Sequence, residues 1–323
     1  MKLRRAQVAG SFYSGTKAAL TSEIEGCFTH RLGPGRLPIL ARVGERKLVG
    51  LVCPHAGYMY SGPVAARSYF EVASDGKPDK IVIIGPNHTG QGSGVSMMSE
   101  GVWETPFGQV ELDKETSIAI SKASDIIDVD ERAHLYEHSI EVQLPFLQYI
   151  LTTRFDFVPI CMMMQDLETS AEVGKAVGEA LKGKNALVIA SSDMTHYESA
   201  ESAKRKDRLA IDAILALDDA RLQETVESYR ISMCGHGPVA SMIAASKILD
   251  AKTAQLLGYS TSGDITRDNS EVVGYLAASV QRYEIQSEGL NSRTIAWLIV
   301  IRRLTFFVSS IVANGRCSLL GKG

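Results

Sequence analysis

"LVIASSDMTHYE" (187–198) begins as a buried strand and ends in side chains that a buried strand does not carry. Leu187 to Ala190 are apolar and partly β-branched, and then Ser191, Ser192, Asp193, Thr195 and His196 follow at once. Ser, Asp and Thr all suit a helix N-cap, so a strand running into a capped helix accounts for this stretch taken alone. The same arrangement occurs twice more. "KLVGLVC" (47–53) runs into "PHAGYMYSG", which carries His55, and "KIVIIG" (80–85) runs into "PNHTG", which carries His88. Nearly continuous apolar runs of this length are strands buried on both faces, as in parallel sheets. In such sheets ligands collect outside the carboxyl ends of the strands. The pattern therefore predicts His55, His88, Asp193 and His196 along one edge of a sheet, with Gly57, Gly62, Gly85 and Gly90 giving the turns their backbone freedom.

Helical periodicity fills the intervals. It predicts helices over 16–32, over 63–73 opened by Pro63, over 114–124, over 137–151 with a kink or split at Pro145, over 170–182, over 199–228 with a break near Asp218–Asp219, and over 238–249. Residues 102–113 read as an irregular hairpin, and 155–163, 254–262 and 272–279 as further strands. Strands alternating with helices give an α/β fold: a single domain over 1–284 with a mostly parallel central sheet flanked by helices.

Composition narrows the class. The chain has 323 residues, 45% apolar and 22% charged, with a net charge of −3, which argues against a nucleic-acid partner or an anionic membrane surface. Its five cysteines, Cys27, Cys53, Cys161, Cys234 and Cys317, are scattered without a CxxC, and no secretory signal is read at the start. A reducing, cytoplasmic location is the expectation. Residues 285–323 form a tail of unassigned role. Within it "TIAWLIVIRRLTFFVSSIV" (294–312) approaches the length of a membrane span. Arg302 and Arg303 near its middle cost about 5–7 kcal/mol, roughly what its apolar residues return, so spanning is not favoured.

Two imidazoles joined by a carboxylate or thiolate, with positions left open, are what a catalytic metal needs. "MCGHGPVA" (233–240) offers Cys234 and His236 just before a helix N-terminus, where the dipole is expected to lower a thiol pKa. "YEHSIEVQLPFL" (136–147) carries Glu137, His138 and Glu141, and on a helix His138 and Glu141 would share a face. HExxH, GxSxG, a P-loop and a dinucleotide fingerprint are all missing from the sequence.

Taken together, "AGSFY" (9–13), "PHAGYMYSG" (54–62), "GPNH" (85–88), "EHSIEVQLPFL" (137–147), "SSDMTH" (191–196) and "CGHGP" (234–238) resemble the Memo family, whose prokaryotic members are called AmmeMemoRadiSam system protein B. The resemblance covers about residues 5–280 and implies a fold like that of the class III extradiol dioxygenases, with a metal pocket at one sheet edge. It implies His55, His88 and Cys234 as metal ligands and Asp193 and His196 as catalytic pocket residues, His196 standing where the dioxygenases have their acid–base histidine. Asn87, Tyr58, His138, Glu141 and His236 are further pocket candidates. Cys234 stands where the dioxygenases have a glutamate, so the site is carried over but ring cleavage is not.

The expected function is a metal-dependent redox enzyme using iron or copper on an unidentified small substrate. The alternatives are a non-catalytic peptide- or metal-binding module, since animal members are associated with phosphotyrosine peptides, and a zinc-dependent hydrolase. The prokaryotic family name implies a functional link to a radical-SAM protein and an AMMECR-type protein.

Overall fold

The computed structural model describes residues 2–41 and 46–282. Four strands form its parallel heart, in spatial order Asp156–Met162, Lys80–Pro86, Ala186–Ser191 and Leu48–Cys53. The register pairs Val82 with both Val158 and Val188, and Gly50 with Val188, so the four carboxyl ends finish at one edge. On the far side of Asp156–Met162 the sheet continues through Gly108–Leu112, Val102–Thr105 and the short N-terminal strand Leu3–Arg4. On the other flank Val272–Gln281 runs antiparallel to Leu48–Cys53 and is itself paired with Thr253–Thr261 and His196–Glu198. The late strands thus return along the parallel core instead of extending it.

Side chains alternate across the strands as buried parallel sheets require. Val82, Ile84, Val188 and Ala190 enter one core with helices Leu167–Leu181, Ala200–Leu215 and His236–Ile248. Ile81, Ile83, Leu187 and Ile189 enter the other, with helices Lys17–Thr29, Tyr58–Asp75 and Leu144–Leu151. Each valine, leucine or isoleucine among them contributes about 1.5–3 kcal/mol by leaving water. The edge carrying the site is therefore rigid on both faces.

Two helices differ from the sequence reading. The one expected at 63–73 begins at Tyr58, with Pro63 inside it. Its start is fixed by the Gly57 carbonyl, which accepts from the amides of Tyr60 and Ser61. The one expected over 137–151 does not start at 137. A 3-10 turn covers Glu141–Gln143, and the α-helix runs Leu144–Leu151 with Pro145 in its first turn, a starting position and not a kink. Among the described residues no helix is long and apolar enough to cross a membrane, and the 294–312 segment lies outside them.

Candidate metal centre

His55 follows the strand Leu48–Cys53 directly and is 2% exposed. A chain of hydrogen bonds fixes which of its nitrogens carries the proton. Tyr69 donates to Gln143 Oε1 at 2.7 Å, so the Gln143 amide nitrogen donates to the Pro54 carbonyl at 3.0 Å and to Ser191 Oγ at 2.8 Å. The single Ser191 hydroxyl proton goes to the Ser139 carbonyl at 2.7 Å. Ser191 Oγ can then only accept from His55 Nδ1, 2.9 Å away. Nδ1 therefore holds the proton, and the Nε2 lone pair is free. Burial, reinforced by the neighbouring imidazoles, holds the His55 pKa well below its ordinary value, so the ring is neutral.

His88 is aimed by a carboxylate. Glu137, 1% exposed, accepts from His88 Nδ1 at 2.9 Å through one oxygen and from the His88 amide at 2.5 Å through the other. The first oxygen also accepts from the amides of His138 and Ser139, both at 2.9 Å. Burial would raise the Glu137 carboxyl, but His88 and the Ser139 amide outweigh it and hold the pKa at about 2. An ionised carboxylate on Nδ1–H leaves His88 Nε2 as the free donor atom, the usual outer partner of a metal-bound imidazole. His138 stacks on His88 with ring centroids 4.7 Å apart, and the His55 ring stands 5.2 Å from His88 and 5.5 Å from His138. One nitrogen from each of the three imidazoles lies within 4.8 Å of the others, a grouping able to hold a metal ion. Gly85 permits it: a Cβ there would come within 2.6 Å of Ser139 Oγ, so glycine lets the 137–140 segment lie across the strand end.

Cys234, expected as the third ligand, meets this group only through His55 and stands outside the three-imidazole grouping, where His138 takes the third place. Its Sγ is 3.2 Å from His55 Nε2 and 3.3 Å from the Asp193 amide. The helix His236–Ile248 does begin just after it, but the expected lowering of the thiol pKa is not found. Burial and then the Asp193 carboxylate push it up, outweighing the Asp193 amide and the Ser192 hydroxyl. Without an ion Cys234 is a protonated thiol. Asp193, 4% exposed, accepts from the His55 amide at 2.8 Å, and burial raises its pKa to about 6 against the pull of that amide and of His196. His196 Nδ1 donates to the Ser232 carbonyl at 2.9 Å, leaving its Nε2 free to accept a proton.

The remaining predicted residues divide. His138 joins the imidazole group, but from an irregular segment and not from a helix shared with Glu141. Glu141, wholly buried, does not share that role: it accepts from Arg4, from the amides of Gln7 and Val8, and from the Tyr13 hydroxyl. Tyr58 is a core residue, packed between Tyr13 and Phe146 with its hydroxyl donated to the Val142 carbonyl at 2.6 Å. Asn87 shapes the His88 loop, its Oδ1 accepting from the amides of Thr89 and Gly90. His236 Nδ1 meets Gln223 Oε1 at 2.8 Å, within the Gln165–Gln223 network that holds the Cys234 carbonyl. Sequence reasoning did not assign Glu137, Gln143 or Ser191 to the site. "EHS" next to a candidate ligand was the available signal for the first of them.

Comparison with known proteins points to one family. Residues 4–279 match the family described as Memo-like protein. A MEMO1 family protein of Methanothermobacter thermautotrophicus is 54% identical over 275 residues, 84% of this chain and 98% of that one. Another from Methanopyrus kandleri is 50% identical over 281 residues, 86% of this chain and 99% of that one. Among solved structures, the uncharacterized protein JW3007 of Escherichia coli K12 superposes with a TM-score of 0.46 at 11% identity, over 72% of this chain and 99% of that one. With the family matched across nearly all of the described residues and half of the positions shared with these relatives, the chain belongs to the Memo-like protein family.

Proposed function

We propose that this protein is a metal-dependent oxidoreductase whose ion, iron or copper, is held by His55, His88 and Cys234, with His138 beside them. The observation that carries the reading is the enforced free Nε2 of His55, 3.2 Å from Cys234 Sγ and grouped with the nitrogens of His88 and His138. A neutral, desolvated imidazole with its lone pair directed at a thiol is a donor set that an ion completes. Bound iron or copper would supply a one-electron couple, and sulfur ligation favours that over hard Lewis-acid chemistry.

The protein's own part is to fix the donors and move protons. Ser191 and Gln143 hold one imidazole, and Glu137 holds the other. His196, anchored through Nδ1 to Ser232, presents Nε2 as a proton acceptor, and Asp193 beside it is a carboxyl poised to exchange a proton near neutrality.

Three imidazoles are also the donor set of hydrolytic zinc sites, which makes a zinc hydrolase the second reading. Anaerobic reconstitution with Fe(II), Cu(I) and Zn(II) in turn, followed by admission of dioxygen, separates them. The redox reading expects dioxygen uptake and oxidation of Cys234, read by mass spectrometry, with iron or copper and not with zinc. Intact Cys234 and no uptake with either redox metal would reject it.

A further inference from the structure

We infer that Arg4, far from the ligands in sequence, is a positioning residue of the metal centre: its guanidinium holds the His134 and Glu137 carbonyls and the Glu141 carboxylate around the Glu137–His138 pair, and through Glu137 it aims His88. The inference rests on the metal reading of the site.

Arg4 is 3% exposed and each of its three nitrogens has a different task. Nε donates to the His134 carbonyl at 2.6 Å, Nη2 to the Glu137 carbonyl at 2.5 Å and Nη1 to the Glu141 carboxylate at 2.7 Å. The guanidinium carbon also lies over the Trp103 ring, 4.0 Å from its centroid. The segment 134–141 has little regular structure of its own: a 3-10 turn ends at His134 and the next begins at Glu141. Between those turns its two ends and its middle are tied to one planar fork. Glu137 is the residue so gripped, and its carboxylate in turn holds the ring and amide of His88 and the amide of His138.

The rest of the N-terminal segment reinforces the same loops. Glu141 takes the amides of Gln7 and Val8, the Phe12 carbonyl accepts from the Tyr58 amide at the end of the His55 turn, and the Phe12 ring stands edge-on to His138 at 4.8 Å. A lysine at position 4 keeps the charge but cannot reach three acceptors in fixed directions or stack flat on the indole.

The test uses the full-length chain and cobalt(II) alone as the probe, titrated anaerobically and followed by its visible absorption. Arg4→Lys is compared with wild type and with Arg46→Lys. Arg46 is a second buried guanidinium, bonded to the Gly76 carbonyl and Asn185 and paired with Asp75, at the opposite end of the strands. Its loss reports the cost of any buried arginine. Arg4→Lys is expected to weaken cobalt binding about tenfold and to speed exchange of the His88 Nδ1 proton in the metal-free protein, seen by nitrogen-15 NMR. Arg46→Lys is expected to leave both within twofold of wild type, even with an equal loss of thermal stability. Wild-type affinity and an unchanged His88 proton in Arg4→Lys would overturn the assignment. So would equal losses of affinity in both variants. A wild-type chain that binds no cobalt would instead overturn the metal reading itself, and Arg4 with it.

Discussion

Replacing Glu137 by glutamine exchanges one carboxylate oxygen for an NH2 group and leaves the volume of the side chain nearly intact. In the wild type one carboxylate oxygen serves three donors, His88 Nδ1 and the amides of His138 and Ser139, and the other serves the His88 amide at 2.5 Å. A glutamine keeps most of these by placing its carbonyl oxygen at the first position. Its NH2 then faces the His88 amide, donor against donor, at a cost of about 1–3 kcal/mol. The three retained bonds lose charge assistance, which is roughly half of their strength.

Part of that loss falls equally on the metal-free and metal-bound forms. What remains for metal affinity is the loosened His88 ring, so a ten- to hundredfold weaker ion is expected. The carboxylate, held at about 2 by His88 and the Ser139 amide against its burial, is ionised at any pH used for binding. The assay is competition with a chromophoric chelator under anaerobic conditions, with circular dichroism to confirm the fold. Affinity within threefold of wild type would refute the claim that Glu137 aims His88.

Three further outcomes follow from the geometry. Gly235→Ala places a Cβ 2.5 Å from the Ser191 carbonyl and 2.7 Å from Ser192 Cβ, so the helix start must retreat from the strand end. Cys234 then leaves His55, and alkylation of the thiol by iodoacetamide should accelerate several-fold; an unchanged rate counts against the packing described. His134 is fully buried, and burial, reinforced by Arg4, lowers its pKa to about 3. The unfolded chain, with an ordinary pKa near 6.5, binds a proton that the folded chain refuses. Stability is therefore lost at about 1.4 kcal/mol per pH unit from this residue as pH falls from about 6 towards 3. Urea titrations of His134→Gln should show a flatter acid limb than wild type, and parallel limbs would contradict the assignment. Tyr259→Phe removes the 2.7 Å bond to buried Asp207, whose other oxygen holds the Thr195 amide. A loss of about 1–3 kcal/mol in urea denaturation is expected, and a neutral result would show that the Asp207 carboxyl finds another partner.

The sheet was legible because burial on both faces writes itself into the strands as unbroken apolar runs, and parallel order brings their ends together. That is why His55, His88, Asp193 and His196 could be placed at one edge before any coordinates. Cys234 was legible only as a residue next to a helix start. Its raised pKa depends on burial and on Asp193, which no spacing reveals. The 137–151 segment misled because its apolar periodicity continues through residues that are irregular in space. Pro145 marked a helix start, and the tertiary grip of Arg4 on 134–141 overrode local propensity. Glu137, Gln143, Ser191 and Arg4 act through hydrogen bonds to residues between 48 and 137 positions away in the chain. Interactions of that separation leave no periodic trace in one sequence.

In the proposed site His55 and His88, oriented by Ser191 and Glu137, hold a redox metal. The direct measurement is the metal content of protein purified anaerobically, by mass spectrometry, for wild type and for the His55→Ala/His88→Ala double variant. Close to one iron or copper is expected per wild-type chain and none in the double variant. An equal metal content in the two proteins, or a wild-type chain that stays empty after reconstitution with both metals, would contradict it.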